Sequence, residues 1–138
     1  MDRVRVLLAD DHDEFRALVS RFLDQGFEVV GAVTDGEALL EAARRLTPDV
    51  VVVDISMPVL DGLEAVRRMK AAGSTAKILF LTVHGEPEYA RAGLDAGAKG
   101  YVVKCRVASD FLLAVKEVLA GRMFVSPSIC MAPDVPSL

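Results

Sequence analysis

Asp10-Asp11, Asp54, Thr82 and Lys104 each stand where a run of apolar residues stops. Two carboxylates about 4 Å apart at an effective dielectric of about 20 repel by roughly 4 kcal/mol, so three together either take up protons or recruit a cation. Hard oxygen donors with neither His nor Cys among them favour magnesium, which keeps several waters and accepts phosphate oxygens. With a lysine and a hydroxyl alongside, such a site could stabilise a phosphoryl group in transfer, with Asp54 as the nucleophile.

These groups meet only if the elements carrying them are arranged for it. Val50 to Val53 has no polar face and reads as a strand buried on both sides, at the centre of a parallel sheet, with Asp54 at its carboxyl end. Burying each of those valines contributes roughly 1.5–3 kcal/mol, so Asp54 leaves a rigid platform. Val4 to Ala9 is a second apolar strand, ending in Asp10-Asp11. Phe15, Leu18, Val19, Phe22 and Leu23 recur at helical spacing, with Gly26 as the stop. Phe27 to Val33 is the next strand; Thr34 and Glu37 form a capping box for a helix to about Leu46, which Pro48 ends. Asp61-Gly62 turns the chain into a helix to about Ala72, and Gly73-Ser74 breaks it before the strand Lys77 to Thr82.

Glu86 to Ala96 is helical but Ala-rich, with Gly93 inside it, so its buried face is thin and mobility is expected. Tyr101 to Val103 is a short strand ended by Lys104, and a last helix carries Phe111, Leu112, Val115, Val118 and Leu119 up to Gly121. Five alternations predict an α/β domain with a doubly wound, five-stranded parallel sheet. If all strands are parallel, the polar strand ends share one edge, where open α/β sheets bind ligands.

Composition narrows the class. At 138 residues, with 52% hydrophobic and 26% charged residues, the chain reads as one folded domain. A net charge of −4 gives no support to phosphate-backbone binding by this segment and suits a site that collects cations. Cys105 and Cys130 fit neither a disulfide framework nor a metal spacing, so a reducing cytoplasm is expected. The start lacks the pattern of a signal peptide and no apolar run approaches membrane-spanning length; a soluble protein with no membrane partner is expected. Beyond Ser126 the segment to Leu138 holds three prolines and no periodicity, and residues 127–138 read as a loose tail or the start of a linker.

Blander readings compete at each position. A lone Asp after a strand is most often a turn or cap residue, and Asp10-Asp11 alone could cap the first helix. Taken singly, Lys104 reads as solvated and Thr82 as ordinary strand-end chemistry. Joint placement at the ends of different strands favours function. His84, two residues after Thr82, could tune entry of a phosphodonor or water but reads first as an exposed loop histidine; His12 could reach the acidic cluster but reads first as a solvated helix start; Met57 reads as packing, and nothing marks Cys105 as having a lowered pKa.

The order DD, DISMP-x-x-DG, LTVH and GAKGYVVK resembles the receiver domain of two-component response regulators, over about Val4 to Ser126 within a domain of residues 1–126. The resemblance implies a flavodoxin-like (βα)5 fold with strand order 2-1-3-4-5. It implies transfer of a phosphoryl group from a sensor histidine kinase to Asp54. Magnesium would be held by Asp11 directly, by Asp10 through water, by Asp54 and by the backbone carbonyl of Ser56. Thr82 would bond the phosphoryl group, Lys104 would pair with one of its oxygens, and Tyr101 would be the switch aromatic. Kinase specificity would lie on the first helix, around Phe15 to Leu23. The output face would be the fourth helix, fifth strand and fifth helix, which could also form a homodimer.

GAKGYVVK with GRMFVSP is similar to the subfamily joined to a C-terminal helix-turn-helix (LuxR-type) output, so DNA would be a partner only through a domain outside this sequence. An excised receiver is expected over a stand-alone one. Two departures stand out. Cys105 replaces the family's usual proline, where a cis bond without proline would cost about 2.5–4 kcal/mol. Val83 is bulkier than the family's small residue and would reduce access by small phosphodonors. A dehalogenase-type phosphatase would carry its aspartyl nucleophile in a DxD motif on the first strand, and a flavodoxin-like carrier would need a phosphate loop where Asp10-Asp11 would repel phosphate. A degenerate receiver that acts only as an interaction module is the remaining alternative.

Overall fold

The computed structural model of the protein describes residues 3–127. Its strands are β1 (Val4–Ala9), β2 (Phe27–Val33), β3 (Val50–Val53), β4 (Lys77–Thr82), β5 (Gly100–Val103) and β6 (Phe124–Val125). Between them run α1 (Asp13–Leu23), α2 (Gly36–Leu46), α3 (Gly62–Ala71), α4 (Pro87–Asp95) and α5 (Val107–Leu119), with a 3-10 turn at Lys104–Arg106. All neighbouring strands pair in parallel, in the order β2-β1-β3-β4-β5-β6. The order expected for the first five strands is observed. The sixth strand corrects the count of five: it is only two residues long and lacks the apolar run by which the others were recognised.

Both faces of the sheet are covered because its central strands are apolar on both sides. Leu7, Val51, Val53, Ile78, Phe80 and Tyr101 face α2, α3 and α4, where Leu39, Val66 and Ala90 meet them. The alternate residues Val6, Leu8, Val50, Val52, Leu81 and Val102 face α1 and α5, against Val19, Leu23, Phe111 and Val115. All four valines of β3 are buried. No helix among the described residues is long and apolar enough to cross a membrane.

The cap of α2 is Asp35, whose side chain accepts from the Ala38 N–H at 2.8 Å; Thr34 and Glu37 do not form the expected box. That helix closes on Thr47 in the left-handed region, one residue before Pro48. α4 has only Ala90 and Gly93 buried, as thin a face as its composition suggests. Gly93, however, is a packing residue: a Cβ there would lie 2.9 Å from the Phe80 ring and 3.2 Å from the Tyr101 ring. The Lys104–Cys105 loop forms its 3-10 turn with every described peptide bond trans. Of the expected tail at 127–138, only Pro127 falls within the described residues.

Candidate functional site

β1 and β3 pair in register from Val6 with Val50 to Ala9 with Val53, so Asp10 and Asp54 leave the sheet side by side. The Asp54 N–H donates to the Ala9 carbonyl at 2.9 Å and carries the pairing one residue further. On the other side of β3, β4 pairs with β5 up to Thr82 with Val103, which puts Lys104 just past the same edge. Gly62 locks the loop after Asp54 from beneath. Its N–H donates to the Ile55 carbonyl at 2.7 Å, and a Cβ there would come within 2.1 Å of the Asp54 carbonyl oxygen. Only glycine tolerates that approach.

The side chains then converge. Lys104 Nζ lies 2.8 Å from Asp10 Oδ2 and 3.0 Å from Asp54 Oδ2, with the Lys104, Asp10 and Asp54 side chains all 10% exposed or less. Taking these charges out of water is costly unless they are paired, and here the ammonium bridges two carboxylates. Its other side rests on the Phe15 ring, 4.5 Å from the centroid, so α1 contributes a cation–π contact. Asp11 is exposed beside them, and one ligand atom from each of Asp10, Asp11, His12 and Asp54 lies within 4.8 Å of the others. Three carboxylates against one ammonium leave an excess of negative charge on oxygen donors, which fits a hard divalent cation.

Thr82 is fully buried, and its Oγ1 has no hydrogen-bond partner among the described residues. A buried hydroxyl left unpaired costs about 1–3 kcal/mol, so the edge retains a donor with no use in the arrangement seen. Tyr101 is buried with its ring inward, and its OH donates to the His84 carbonyl at 2.7 Å. Burial, helped by the Glu86 and Asp54 carboxylates, pushes the Tyr101 phenol well above its ordinary range, so it remains a donor. The Ser56 N–H donates to Asp54 Oδ1 at 3.3 Å, holding the second carboxylate oxygen.

Two histidines are placed differently from expectation. His12 is not merely a solvated helix start: its Nδ1 lies 3.1 Å from Asp10 Oδ1 and 3.4 Å from Asp11 Oδ1. His84 is half-buried, bonded through Nε2 to Ser56 Oγ at 2.7 Å and stacked on Tyr89 with ring centroids 4.2 Å apart. The adjacency of His12 to Asp10-Asp11 was a legible signal; the Ser56–His84 pair, 28 residues apart, was not. Asp10 also serves the helix start, accepting from the N–H of His12, the N-cap of α1, at 2.9 Å, while the His12 side chain makes no cap bond. Met57 is packed in the core as expected, and Val83 is 62% exposed. A groove of about 630 Å³ between α2 and α3 lies away from this edge and is lined in part by Arg44 and Arg68, which already pair with Glu41 and Glu64.

Comparison with known proteins agrees with this architecture. The family model described as "Response regulator receiver domain" matches residues 6–116. Response regulator GacA of Pseudomonas viridiflava is 39% identical over 128 residues, covering 91% of this chain and 60% of that protein. The chain thus spans about three fifths of the length of the curated relatives it matches. A LuxR-family two-component response regulator from Aurantimonas sp. SI85-9A1 superposes with a TM-score of 0.88 at 34% identity, over 93% of each chain. The Salmonella typhimurium RcsB response regulator, in a structure addressing its DNA interaction, gives a TM-score of 0.84 at 28% identity, over 94% of this chain and 64% of that one. With the family model matched over most of its length and a relative 39% identical across 91% of it, the chain belongs to the response regulator receiver domain family, in its LuxR-type branch.

Proposed function

We propose that the chain is a cytoplasmic phosphoacceptor switch, taking a phosphoryl group on Asp54 from the phosphohistidine of a sensor histidine kinase. The observation that carries this reading is the meeting of Asp54 with Asp10 and Lys104, 2.8–3.0 Å from the lysine nitrogen, at the carboxyl edge of the sheet. Asp10, Asp11, Asp54 and the Ser56 backbone carbonyl would hold magnesium, which when bound would neutralise charge on the transferring phosphoryl oxygens.

The chemistry is an in-line displacement. An Asp54 carboxylate oxygen attacks phosphorus and the P–N bond to the donor imidazole breaks. Its electron pair stays on the imidazole nitrogen, which takes a proton from solvent. Lys104 exchanges its contact with Asp54 Oδ2 for a phosphoryl oxygen, and the unpartnered Thr82 hydroxyl donates to another. Attack by water on the acyl phosphate later releases inorganic phosphate and restores the carboxylate, so the domain acts on itself and turns over no other substrate. Engagement of Thr82 biases a two-state equilibrium in which inward Tyr101 is one arrangement, and the readout face is α4, β5 and α5, available for homodimer formation. Likeness to RcsB and to the LuxR-family regulator supports transcriptional control through an output domain outside this chain.

Intact mass after incubation with phosphoramidate and magnesium tests the reading. The protein is expected to gain one phosphoryl group, which Asp54→Asn and chelated samples do not. If a cognate kinase's phosphohistidine also fails to label the folded protein, the domain is an interaction module and the proposal is wrong.

A further inference from the structure

His12 has no part in the phosphotransfer above, yet its ring is held among the carboxylates. Its side chain is 60% exposed, so burial does not fix it there; its own N–H donates to Asp10 Oδ1 at 2.9 Å, and α1 starts at the next residue. Nδ1 lies 3.1 Å from Asp10 Oδ1, 3.4 Å from Asp11 Oδ1 and 3.8 Å from Asp54 Oδ2. Ligand atoms about 2.0–2.2 Å from a common cation stand roughly 3–3.6 Å from their neighbours in tetrahedral or octahedral shells. The first two distances have that spacing. Lys104 Nζ sits on Asp10 Oδ2 and also lies 3.3 Å from His12 Nδ1, while Asp10 Oδ1 accepts from the His12 N–H. A cation arriving on the exposed side of the imidazole would meet Nδ1, Asp10 Oδ1 and Asp11 Oδ1 and take the place of the ammonium at Nδ1.

We infer that His12 is a ligand, through Nδ1, to the cation held by Asp10, Asp11 and Asp54, and that it tilts this site toward first-row transition-metal ions such as cobalt(II) and zinc(II). The inference rests on the proposed metal role of the acidic cluster. Imidazole nitrogen is a good ligand for these ions and adds little for magnesium, which favours carboxylate, carbonyl and water oxygens. His12 thus changes which ion the site selects without changing the carboxylates that hold it.

Calorimetric titration of the folded chain with cobalt(II) and with magnesium, at one fixed pH, tests this in the wild type, His12→Gln and Cys105→Ser. His12→Gln is expected to weaken cobalt(II) binding by about tenfold or more, the scale on which loss of a ligand-supporting group acts, and to leave magnesium affinity within about twofold. The visible bands of bound cobalt(II) should shift in His12→Gln and not in Cys105→Ser. Equal weakening of both ions, or an unchanged ratio between them, overturns the inference, since His12 would then only position Asp10 or stand apart. Loss of the cobalt preference in Cys105→Ser overturns it in favour of the exposed thiol. Magnesium binding that survives His12→Gln and is lost in Asp54→Asn leaves the phosphoacceptor reading intact in each of those cases; no metal bound by the wild type removes both.

Discussion

Thr82 separates stability from function most directly. Its hydroxyl is fully buried without a partner, while its methyl and backbone serve β4 like those of any strand residue. Removing an unpaired buried hydroxyl and keeping its shape relieves a desolvation cost. Thr82→Val is therefore expected to raise the unfolding free energy in urea by about 1 kcal/mol and to weaken the response to phosphorylation. A destabilised Thr82→Val would mean that the hydroxyl already has a partner in the resting state. Lys104 is the contrasting case, since its ammonium is engaged by two carboxylates and Phe15 before any phosphoryl group arrives. Sequence named both residues; only burial and contact distance distinguish an idle donor from an engaged one.

α4 shows how an element can be thin and still closely fitted. Its Ala-rich sequence offers little apolar area, and Ala90 and Gly93 are its buried residues. Helix propensity alone predicts that Gly93→Ala stabilises by about 1 kcal/mol. The rings of Phe80 and Tyr101 reverse that sign, because a Cβ would lie 2.9 and 3.2 Å from them and ring atoms of a packed core cannot swing aside. Gly93→Ala is expected to lower stability by about 1–2 kcal/mol through overpacking. It should also move the near-ultraviolet signal of Tyr101, as the inward ring is displaced. An unchanged or raised melting temperature with an unchanged tyrosine signal would show that α4 rides loosely on the sheet. The glycine that weakens the helix by composition is the residue that lets it reach the Tyr101 ring.

Across the whole molecule, the C-terminal strand is tied in by a buried polar cluster. Ser126 Oγ donates to Asp110 Oδ2 at 2.9 Å and accepts from the Val103 N–H at 3.1 Å, joining β6, α5 and β5. Burial pushes the Asp110 carboxyl up, but hydrogen bonds from Arg106, Ser126 and Ser109 outweigh it and hold the group below its ordinary range. A depressed carboxylate stabilises the fold fully above its unfolded value, about 3.9, and that stability is lost as pH falls through the folded value. The stability advantage of the wild type over Asp110→Asn should thus be present at neutral pH and shrink below about pH 4, as read by urea midpoints across pH. A difference that does not change over that range would place the contribution in packing and not in charge.

The sequence by itself determined the layered α/β fold and, through its resemblance to the receiver family, the order of the first five strands, and it placed the candidate site residues at strand ends. Apolar runs bounded by single polar residues leave few other arrangements, and the motif order is specific. Its errors were local: Thr34 was read as a cap where Asp35 serves, and β6 was missed because two residues carry no periodic pattern. What only the tertiary structure decided was which polar atoms are satisfied. His84 on Ser56, Phe15 under Lys104 and the idle Thr82 hydroxyl depend on contacts between elements far apart in the sequence. Hydrogen bonding and desolvation act over about 3 Å, a distance that residue order along a chain does not encode.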